Sequence, residues 1–335
     1  MTATETLRFP DPGTGLKERR PVQRFAVALV TRYPMVLFLI GLLIVATILY
    51  PFFWTPVNLI NMVTQNVGLL LCTLGMTYVI IGGGFDLSVG SVYAAGAMTY
   101  ISFIETQPAW FALLAALVVG LLFGLVNGVL INVVRVNTFV ATLGTASIFI
   151  GVITMYAGAN GAFNASPEYT YLGTARIGGF PLSGWIAIIL VIVTGLVLTR
   201  TSFGRSVYAI GGNREAARLS GIRVGLVSTI TFAMIGTLAA LGGVFTASQL
   251  GTATPSFVGN VTLNAIAIVI IGGTALTGGE GSIWRTLIGL GIMAVVGNLF
   301  TALNFRTELQ TVFIGVIVVG AVAMDVWVLG RNRRR

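Results

Sequence analysis

The chain has 335 residues, of which 56% are hydrophobic and only 9% are charged, and its apolar runs reach membrane-spanning length. This composition predicts an all-α, polytopic membrane protein, and the lack of alternation within the runs excludes a transmembrane β-barrel. With no histidine and a single cysteine, Cys72, the sequence excludes histidine-based zinc sites, histidine general bases and intramolecular disulfides.

The first 32 residues are polar, contain several prolines and glycines, and include no short apolar stretch with a cleavage site. We expect them to form a disordered cytoplasmic tail rather than a signal peptide, so that the first span acts as an uncleaved signal. A transmembrane domain is predicted over 33–330, followed by a basic cytoplasmic C-terminus at 331–335.

Ten apolar windows follow the tail, each long enough or nearly long enough to cross about 30 Å of hydrocarbon at 1.5 Å per residue. They lie at 34–53, 60–81, 87–104, 109–134, 138–156, 184–200, 224–248, 258–275, 284–303 and 309–329. The third, sixth and eighth windows are the shortest or richest in glycine. Eight or nine full spans with one re-entrant segment are therefore the alternative.

The basic residues indicate the orientation, because lysine and arginine concentrate in short cytoplasmic loops. With ten spans and a cytoplasmic N-terminus, 17 of the 19 basic residues fall inside, and only Arg176 and Arg306 fall outside. This bias predicts that both termini are cytoplasmic. The net charge of +9 is therefore attributed to membrane flanks rather than to nucleic-acid binding.

The longest external connection, roughly 157–183, combines asparagine, serine, proline, glutamate and tyrosine. This composition is suited to an ordered surface loop. The loop is a candidate to receive a soluble partner. A plain connector with a short surface helix is the alternative.

The pentapeptide VIIGG occurs at Val79–Gly83 and again at Val269–Gly273, each time before a stretch that contains glycine and serine. Membrane transporters often contain internal repeats. Five residues of types common in membranes also recur by chance, so both explanations stay open.

A polar stretch, GNREAARLSGI at 212–222, separates the sixth and seventh windows. Asn213 is a suitable N-cap, Glu215 lies where the helix dipole favours an anion, and Gly221 can adopt the left-handed conformation that ends a helix. The pattern predicts a two-turn cytoplasmic helix. A helix this short needs docking to be stable.

Within this stretch, EAARLSG resembles the EAA-three-residues-Gly pattern of ABC importer permeases, whose cytoplasmic coupling helix inserts into a groove of the ATP-binding subunit. The resemblance implies that the stretch contacts a separate ATPase, and an ordinary capped surface helix is the alternative. The residues implied in coupling are Asn213, Glu215, Ala216, Ala217, Arg218, Ser220 and Gly221.

The run IIGGGFDLSVGS at Ile80–Ser91 resembles the signature of the ribose/xylose/galactose-type sugar permeases. Its glycines allow tight turns or close helix contact, and Asp86 must be paired or solvated because a charge near lipid is costly. We expect Asp86 to cap a helix beginning at Leu87, and proton coupling by Asp86 is the alternative. The signature or gate residues are Gly82, Gly83, Gly84, Asp86, Leu87, Ser88 and Gly90.

Two further regions are similar to the same family, so the resemblance runs from about residue 58 to 330. Gly124–Thr145 is similar to the GxxNG…TLGT region, although the proline often found there is absent at Asn137 and Thr138. IGGTALTGGEGS resembles the C-terminal pattern of the family, whose downstream residues here are Asn298, Gln310 and Asp325.

The chain departs from the family at Thr262–Ala267, which reads TLNAIA where relatives commonly have ELDAIA. Two acidic positions are neutral here. Any contribution of those acids to substrate binding or to an inter-subunit charge pair is therefore altered in this chain.

A sugar in transit exchanges its hydrogen bonds with water for weak, replaceable bonds, so uncharged polar side chains are expected along a path. The candidates for the translocation path are Asn66, Asn127, Phe139, Gln249, Asn264, Asn298 and Gln310. Hydrogen bonding between helices is the alternative role of the amides.

The resemblance implies the transmembrane permease subunit of an ATP-driven importer of monosaccharide-class carbohydrates in the bacterial plasma (inner) membrane. Its partners would be an ABC ATP-binding subunit, a periplasmic or extracellular sugar-binding protein and a second permease subunit, identical or paralogous. The only lysine, Lys17, is not part of a GxxxxGK[ST] phosphate loop, so we do not expect this chain to bind or hydrolyse ATP. It would be a transport subunit and not an enzyme, and ATP and magnesium would bind the ATP-binding subunit. A self-sufficient secondary transporter or facilitator is the alternative, although nearly all acids lie at span ends.

Overall fold

The structure, a computed structural model, describes residues 34–158, 161–164, 166–306, 308–316 and 319–320. The predicted tail at 1–32, the basic end at 331–335 and Asp325 lie outside the described residues. Helices dominate the described chain, as expected for a polytopic all-α membrane protein.

The helices are numbered in chain order. They are α1 (Pro34–Leu49), α2 (Pro56–Ile81), α3 (Val89–Ile104), α4 (Ala109–Asn132), α5 (Thr138–Ala157), α6 (Pro167–Thr174), α7 (Leu182–Arg200), α8 (Ser202–Gly212), α9 (Arg214–Leu219), α10 (Val224–Leu250), α11 (Val261–Ile271) and α12 (Ile283–Ala302). A further helical segment, α13, covers 308–316. Two-residue strands are β1 (Ala162–Phe163), β2 (Arg176–Ile177), β3 (Phe180–Pro181) and β4 (Thr252–Ala253).

Six of the described helices, α2, α4, α5, α7, α10 and α12, are long and apolar enough to cross a membrane. Their bounds agree with the predicted windows to within a few residues. The 16-residue helices α1 and α3 are shorter, at about 24 Å. The eighth window, 258–275, contains only the 11-residue helix α11, because Gly272 and Gly273 end the helix early.

Helix α10 packs against α2, α3 and α4, which places it at the centre of the bundle. The helices approach closely at glycines: a Cβ atom on Gly120 would lie 2.5 Å from the carbonyl oxygen of Gly236. Similarly, a Cβ atom on Gly68 would lie 2.9 Å from the carbonyl oxygen of Gly242. In lipid, this packing drives association, because burying apolar side chains between helices gives no hydrophobic gain there.

The described part of the connection between α5 and α7 packs against the C-terminal end of α10. The Ser248 hydroxyl donates to the carbonyl oxygen of Tyr169 at 2.6 Å and accepts from the backbone N–H of Gly173 at 2.9 Å. The Tyr169 ring stacks on Tyr100 with ring centroids 5.3 Å apart. The described part of this connection is ordered, and it contains the short helix that the alternative of a plain connector expected. Reception of a partner there stays a prediction.

We expect Gly120→Ala to lower the free energy of unfolding by about 1–3 kcal/mol, because the new Cβ atom would overpack the contact between α4 and α10. Gly195→Ala in α7 is the matched control, since no atom lies within 4 Å of its added Cβ. There the higher helix propensity of alanine should stabilise by up to about 1 kcal/mol. Thermal unfolding of the purified variants in detergent measures the difference. Equal melting temperatures would contradict the packing role of Gly120.

Candidate functional site

The loop between α7 and α10 folds into two helices, α8 and α9. Asn213 caps α9, because its Oδ1 atom accepts a hydrogen bond from the backbone N–H of Ala216 at 2.9 Å. The helix ends at Leu219. Its C-cap, Ser220, donates from the hydroxyl to the Ala216 carbonyl, and the following Gly221 has a left-handed φ of 83°. The predicted short helix and both of its ends are therefore confirmed as geometry.

One side of α9 docks on the bundle through a small residue. Ala217 is buried against Ile210 of α8 and Val224 of α10. The neighbouring Ala216 is exposed. Successive helical residues point about 100° apart, which places only one of the two against the protein.

The outward side of α9 carries a defined pair of charges. An Nη2 atom of Arg218 lies 2.6 Å from an Oε1 atom of Glu215, and the two side chains are 67% and 64% exposed. The hydrogen bond from Arg218 lowers the pKa of the Glu215 carboxyl, so this group is ionised at neutral pH. Leu219, which is 76% exposed, adds an apolar side chain to this surface. A capped helix with an exposed apolar residue beside oriented charges is suited to docking in a groove.

A polar cleft of about 930 Å³ separates α9 from the loop between α4 and α5. Its lining includes Arg135, Arg214 and Arg218 together with Glu215, so the cleft is basic. Arg214 donates from Nη2 to the Oδ1 atom of Asn132 at 2.9 Å. This bond ties the first residue of α9 to the last residue of α4.

Three glycine-containing segments meet beside α9. The backbone N–H of Gly279 donates to the carbonyl oxygen of Ile81 at 2.8 Å. A Cβ atom on Gly278 would lie 2.9 Å from the Cα atom of Gly83, and one on Gly279 would lie 2.9 Å from the Cα atom of Gly212. We call Gly83, Gly211, Gly212, Gly278 and Gly279 the glycine junction. It brings the loop after α2, the end of α8 and the loop after α11 into direct backbone contact.

Each of the two VIIGG copies ends a helix, and the two ends have the same geometry. Gly82 and Gly272 each donate to the carbonyl oxygen four residues earlier. Gly83 and Gly273, with φ of 78° and 90°, each donate to the carbonyl oxygen three residues earlier. The sequence echo therefore corresponds to a shared helix-ending turn.

A chain of buried hydrogen bonds holds the loop between α2 and α3, residues 82–88, which we call the signature loop. Thr145 donates from Oγ1 to the Oδ1 atom of Asn127 at 2.6 Å, and Asn127 donates from Nδ2 to the Ser88 hydroxyl at 2.7 Å. The Ser88 hydroxyl donates to the Oδ1 atom of Asp86 at 2.6 Å. The Thr145, Asn127 and Ser88 side chains each donate to the next group in this series. The hydrogen bonds therefore fix the signature loop relative to α4 and α5.

The expectation that Asp86 caps a helix beginning at Leu87 is wrong. Helix α3 begins at Val89, and Ser88 occupies the N-cap position without a side-chain cap. The Asp86 carboxylate instead accepts both the hydroxyl and the backbone N–H of Ser88, the latter at 2.8 Å. It therefore closes a turn before the helix.

Thr262 of α11 contacts the signature loop directly. Its Oγ1 atom accepts from the backbone N–H of Gly90 at 3.1 Å and donates to the carbonyl oxygen of Leu87 at 3.4 Å. A neutral hydroxyl thus links α11 to the start of α3.

Four of the predicted path residues come together in one cavity of about 180 Å³. They are Asn66, Asn264, Asn298 and Gln310, contributed by α2, α11, α12 and α13. Gln65 and Thr301 also line the cavity, although the sequence argument did not select them. Gln65 carried a usable signal, because it is an uncharged amide within an apolar span directly before Asn66.

The other three predicted path residues lie elsewhere. Asn127 is fully buried, and its amide is used in the hydrogen-bond chain described above. Phe139 lies half exposed in the first turn of α5, and Gln249 lies at the C-terminal end of α10 beside Gly173. The structure does not bring these three residues to the polar cavity.

The described side chains offer hydrogen bonding and packing rather than reaction chemistry. Apart from Asp86, the acids within the described ranges are exposed: Glu105, Glu168, Glu215, Glu280 and Glu308. In the same ranges, cysteine, aspartate and glutamate form no group of three that could hold a metal ion. The arrangement supports docking at one end and passage of an uncharged polar solute.

A bundle of apolar helices with an uncharged polar cavity and a capped docking helix defines a membrane transport component. Sequence comparison agrees: residues 58–322 match the family described as branched-chain amino acid transport system / permease component. The chain belongs to this family. It is therefore a multi-pass transport subunit and not an enzyme.

Individual relatives are similar over most of their length. The chain is 33% identical to the ribose import permease protein RbsC of Haemophilus influenzae over 86% of this chain and 90% of that protein. It is 35% identical to the Escherichia coli protein of the same name, over 86% and 91% respectively. Identity to the L-arabinose transport system permease protein AraH of Escherichia coli is 33%, over 88% and 90%. No solved structure matches the chain.

Substitutions of Asp86 distinguish a structural role of its carboxylate from a role as a proton carrier. Asp86→Asn retains an oxygen that can accept both Ser88 bonds, so we expect a modest loss of stability and an unchanged pH dependence of uptake. Asp86→Leu removes the acceptor and should cost about 1–3 kcal/mol. Thermal unfolding and uptake across a pH series measure both effects. A shifted pH optimum in a normally expressed Asp86→Asn variant would identify the carboxylate as a proton carrier.

Proposed function

We propose that this chain is the transmembrane subunit of an ATP-driven ABC importer of monosaccharide-class carbohydrates. The observation that carries the proposal is α9, which is capped by Asn213, docked through Ala217 and charged on its outward face. The named relatives include ribose and L-arabinose permeases, which supports a sugar as cargo. Because the sequence has no phosphate loop, ATP with magnesium would bind a separate subunit, and this chain would bind no cofactor.

We infer ten spans with both termini cytoplasmic, in the plasma (inner) membrane of a bacterium. Helices α8 and α9, the α4–α5 loop and the loops after α2 and α11 meet at one end of the bundle, whereas α6, β1 and β4 meet near the outer end of α10. This alternation of helix ends supports the orientation derived from the arginines. The permease domain would then cover 33–330, with 201–223 as its cytoplasmic coupling loop.

The proposed assembly contains three kinds of partner. An ABC ATP-binding subunit would receive α9, a sugar-binding protein would dock on the external face near α6, and a second permease subunit would complete the path. Closure of the ATPase would displace α9, and the glycine junction would pass that displacement to the signature loop and the loop after α11. Inward-facing and outward-facing states would thus be favoured in turn.

A self-sufficient secondary transporter is the rival function. It requires ionisable groups within the membrane that carry a coupled ion or switch a salt bridge. Among the described acids only Asp86 is buried, and its carboxylate is occupied by Ser88. The distribution of acids therefore favours the importer.

Loss of the outward charges on α9 tests the coupling assignment. We expect Glu215→Ala to reduce co-purification of the ATP-binding subunit and to lower uptake at least about tenfold, which corresponds to about 1.4 kcal/mol of docking energy. Gly221→Pro should have a similar effect, because proline cannot adopt the φ of 83° found there. Glu105→Ala, which removes an exposed acid at the end of α3, is the control. Normal uptake by both coupling-loop variants would reject the assignment.

Two adjacent residues of the glycine junction, Gly211 and Gly212, provide a test of whether the junction transmits movement and a control for it. A Cβ atom on Gly211 would lie 2.5 Å from the backbone nitrogen of Gly279, whereas one on Gly212 would meet no atom within 4 Å. We expect Gly211→Ala to retain the ATPase but lose most uptake, because α8 shifts relative to the loops that it contacts. Gly212→Ala should transport normally. Equal uptake by both variants would show that the junction does not transmit movement.

A further inference from the structure

The polar cavity between α2, α11, α12 and α13 opens to the surface of the chain, because Gln65 and Thr301 in its lining are exposed. Gln65 is about 13 Å along α2 from its first residue, and Asn298 is about 6 Å from the end of α12. The cavity of about 180 Å³ is lined by amides and a hydroxyl, and none of the described residues that line it is charged. Such a surface can exchange hydrogen bonds with a neutral solute without trapping it.

Most of these amides have unused hydrogen-bonding capacity. In the part of the chain that the structure describes, the side-chain amides of Gln65, Asn264 and Gln310 make no hydrogen bond to protein. Asn298 differs, because it exchanges two bonds with Asn58, at 2.7 and 3.3 Å. Unpaired amides at membrane depth are costly unless water or a solute satisfies them. The cavity is therefore a place where a hydroxylated solute would be favoured over lipid.

The size and charge of the cavity narrow the class of solute. Its volume of about 180 Å³ leaves room for a solute of monosaccharide size. A zwitterionic amino acid would need opposite charges for its ammonium and carboxylate groups, and the described lining supplies neither.

We propose that this cavity is a transit subsite for one uncharged monosaccharide, in which Gln65, Asn264 and Gln310 exchange hydrogen bonds with its hydroxyl groups. The hydrogen bonds with Asn58 fix the Asn298 side chain, so Asn298 forms part of the cavity wall and does not exchange hydrogen bonds with the solute. The proposal rests on the proposed importer function and deepens it by naming where the sugar passes.

Cysteine accessibility in the full-length protein tests the subsite directly. In a Cys72→Ala background, Asn264→Cys and Gln310→Cys are treated with a charged, water-soluble methanethiosulfonate in membrane vesicles, with and without D-ribose. We expect both cysteines to react, and D-ribose to slow the reaction by the factor 1 + [L]/Kd, about tenfold at nine times Kd. Asn61→Cys is the matched control, because Asn61 is exposed on the same helix as Gln65 but does not line the cavity.

Three results would overturn the proposal. Failure of the charged reagent to reach either cysteine would show that lipid or a second copy of the chain covers this face. Protection by L-leucine but not by D-ribose, D-allose or L-arabinose would assign the cavity to a different solute. Equal protection of the Asn61→Cys control would show that the sugar acts away from the cavity.

A parallel uptake measurement separates this proposal from the importer function itself. We expect Asn264→Leu and Gln310→Leu each to lower uptake about three- to tenfold, the effect of losing one hydrogen bond, while the ATP-binding subunit still co-purifies. If the wild-type chain retains no ATPase, the importer function fails. If the ATPase is retained but both leucine variants transport normally and D-ribose gives no protection, only the subsite fails.

Discussion

Direct contact between backbones is the constraint on which the rest of this structure depends. Around α10, glycines such as Gly68 and Gly120 let neighbouring helices approach until a single added carbon would collide with a carbonyl oxygen. The same device recurs at the glycine junction, where loops rather than helices touch. In a bilayer, where burial of apolar side chains between helices gains little, such close packing supplies much of the association energy.

The sequence predicts the helices well because their cause is local. Long apolar runs require helices in lipid, and the bounds of α5, α7 and α10 differ from the predicted windows by only a few residues. The caps of α9 follow from side-chain chemistry at Asn213 and from the conformational freedom of Gly221. The short α11 could not be predicted as readily, because a glycine pair within an apolar run is also compatible with a continuous helix.

The functional residues were harder to predict, since their roles depend on which way a helix faces. Asn127 and Asn264 are both asparagines within apolar spans, yet the first closes a buried hydrogen-bond chain and the second faces a cavity. Residue type alone does not distinguish these environments. Asp86 was misplaced for a similar reason, because a short acidic side chain can close a turn as readily as it can cap a helix.

Helix α10 begins three residues after Gly221 and runs without a break for 27 residues, about 40 Å, to the place where Ser248 holds α6. One rigid rod thus joins the two faces on which soluble proteins are proposed to bind. Thermodynamic linkage makes such a connection reciprocal. If binding of the ATPase to α9 changes the affinity of the external face for its partner by some factor, binding at the external face changes the affinity of α9 for the ATPase by the same factor. The arrival of cargo outside would therefore alter ATPase binding before any cargo has crossed the membrane.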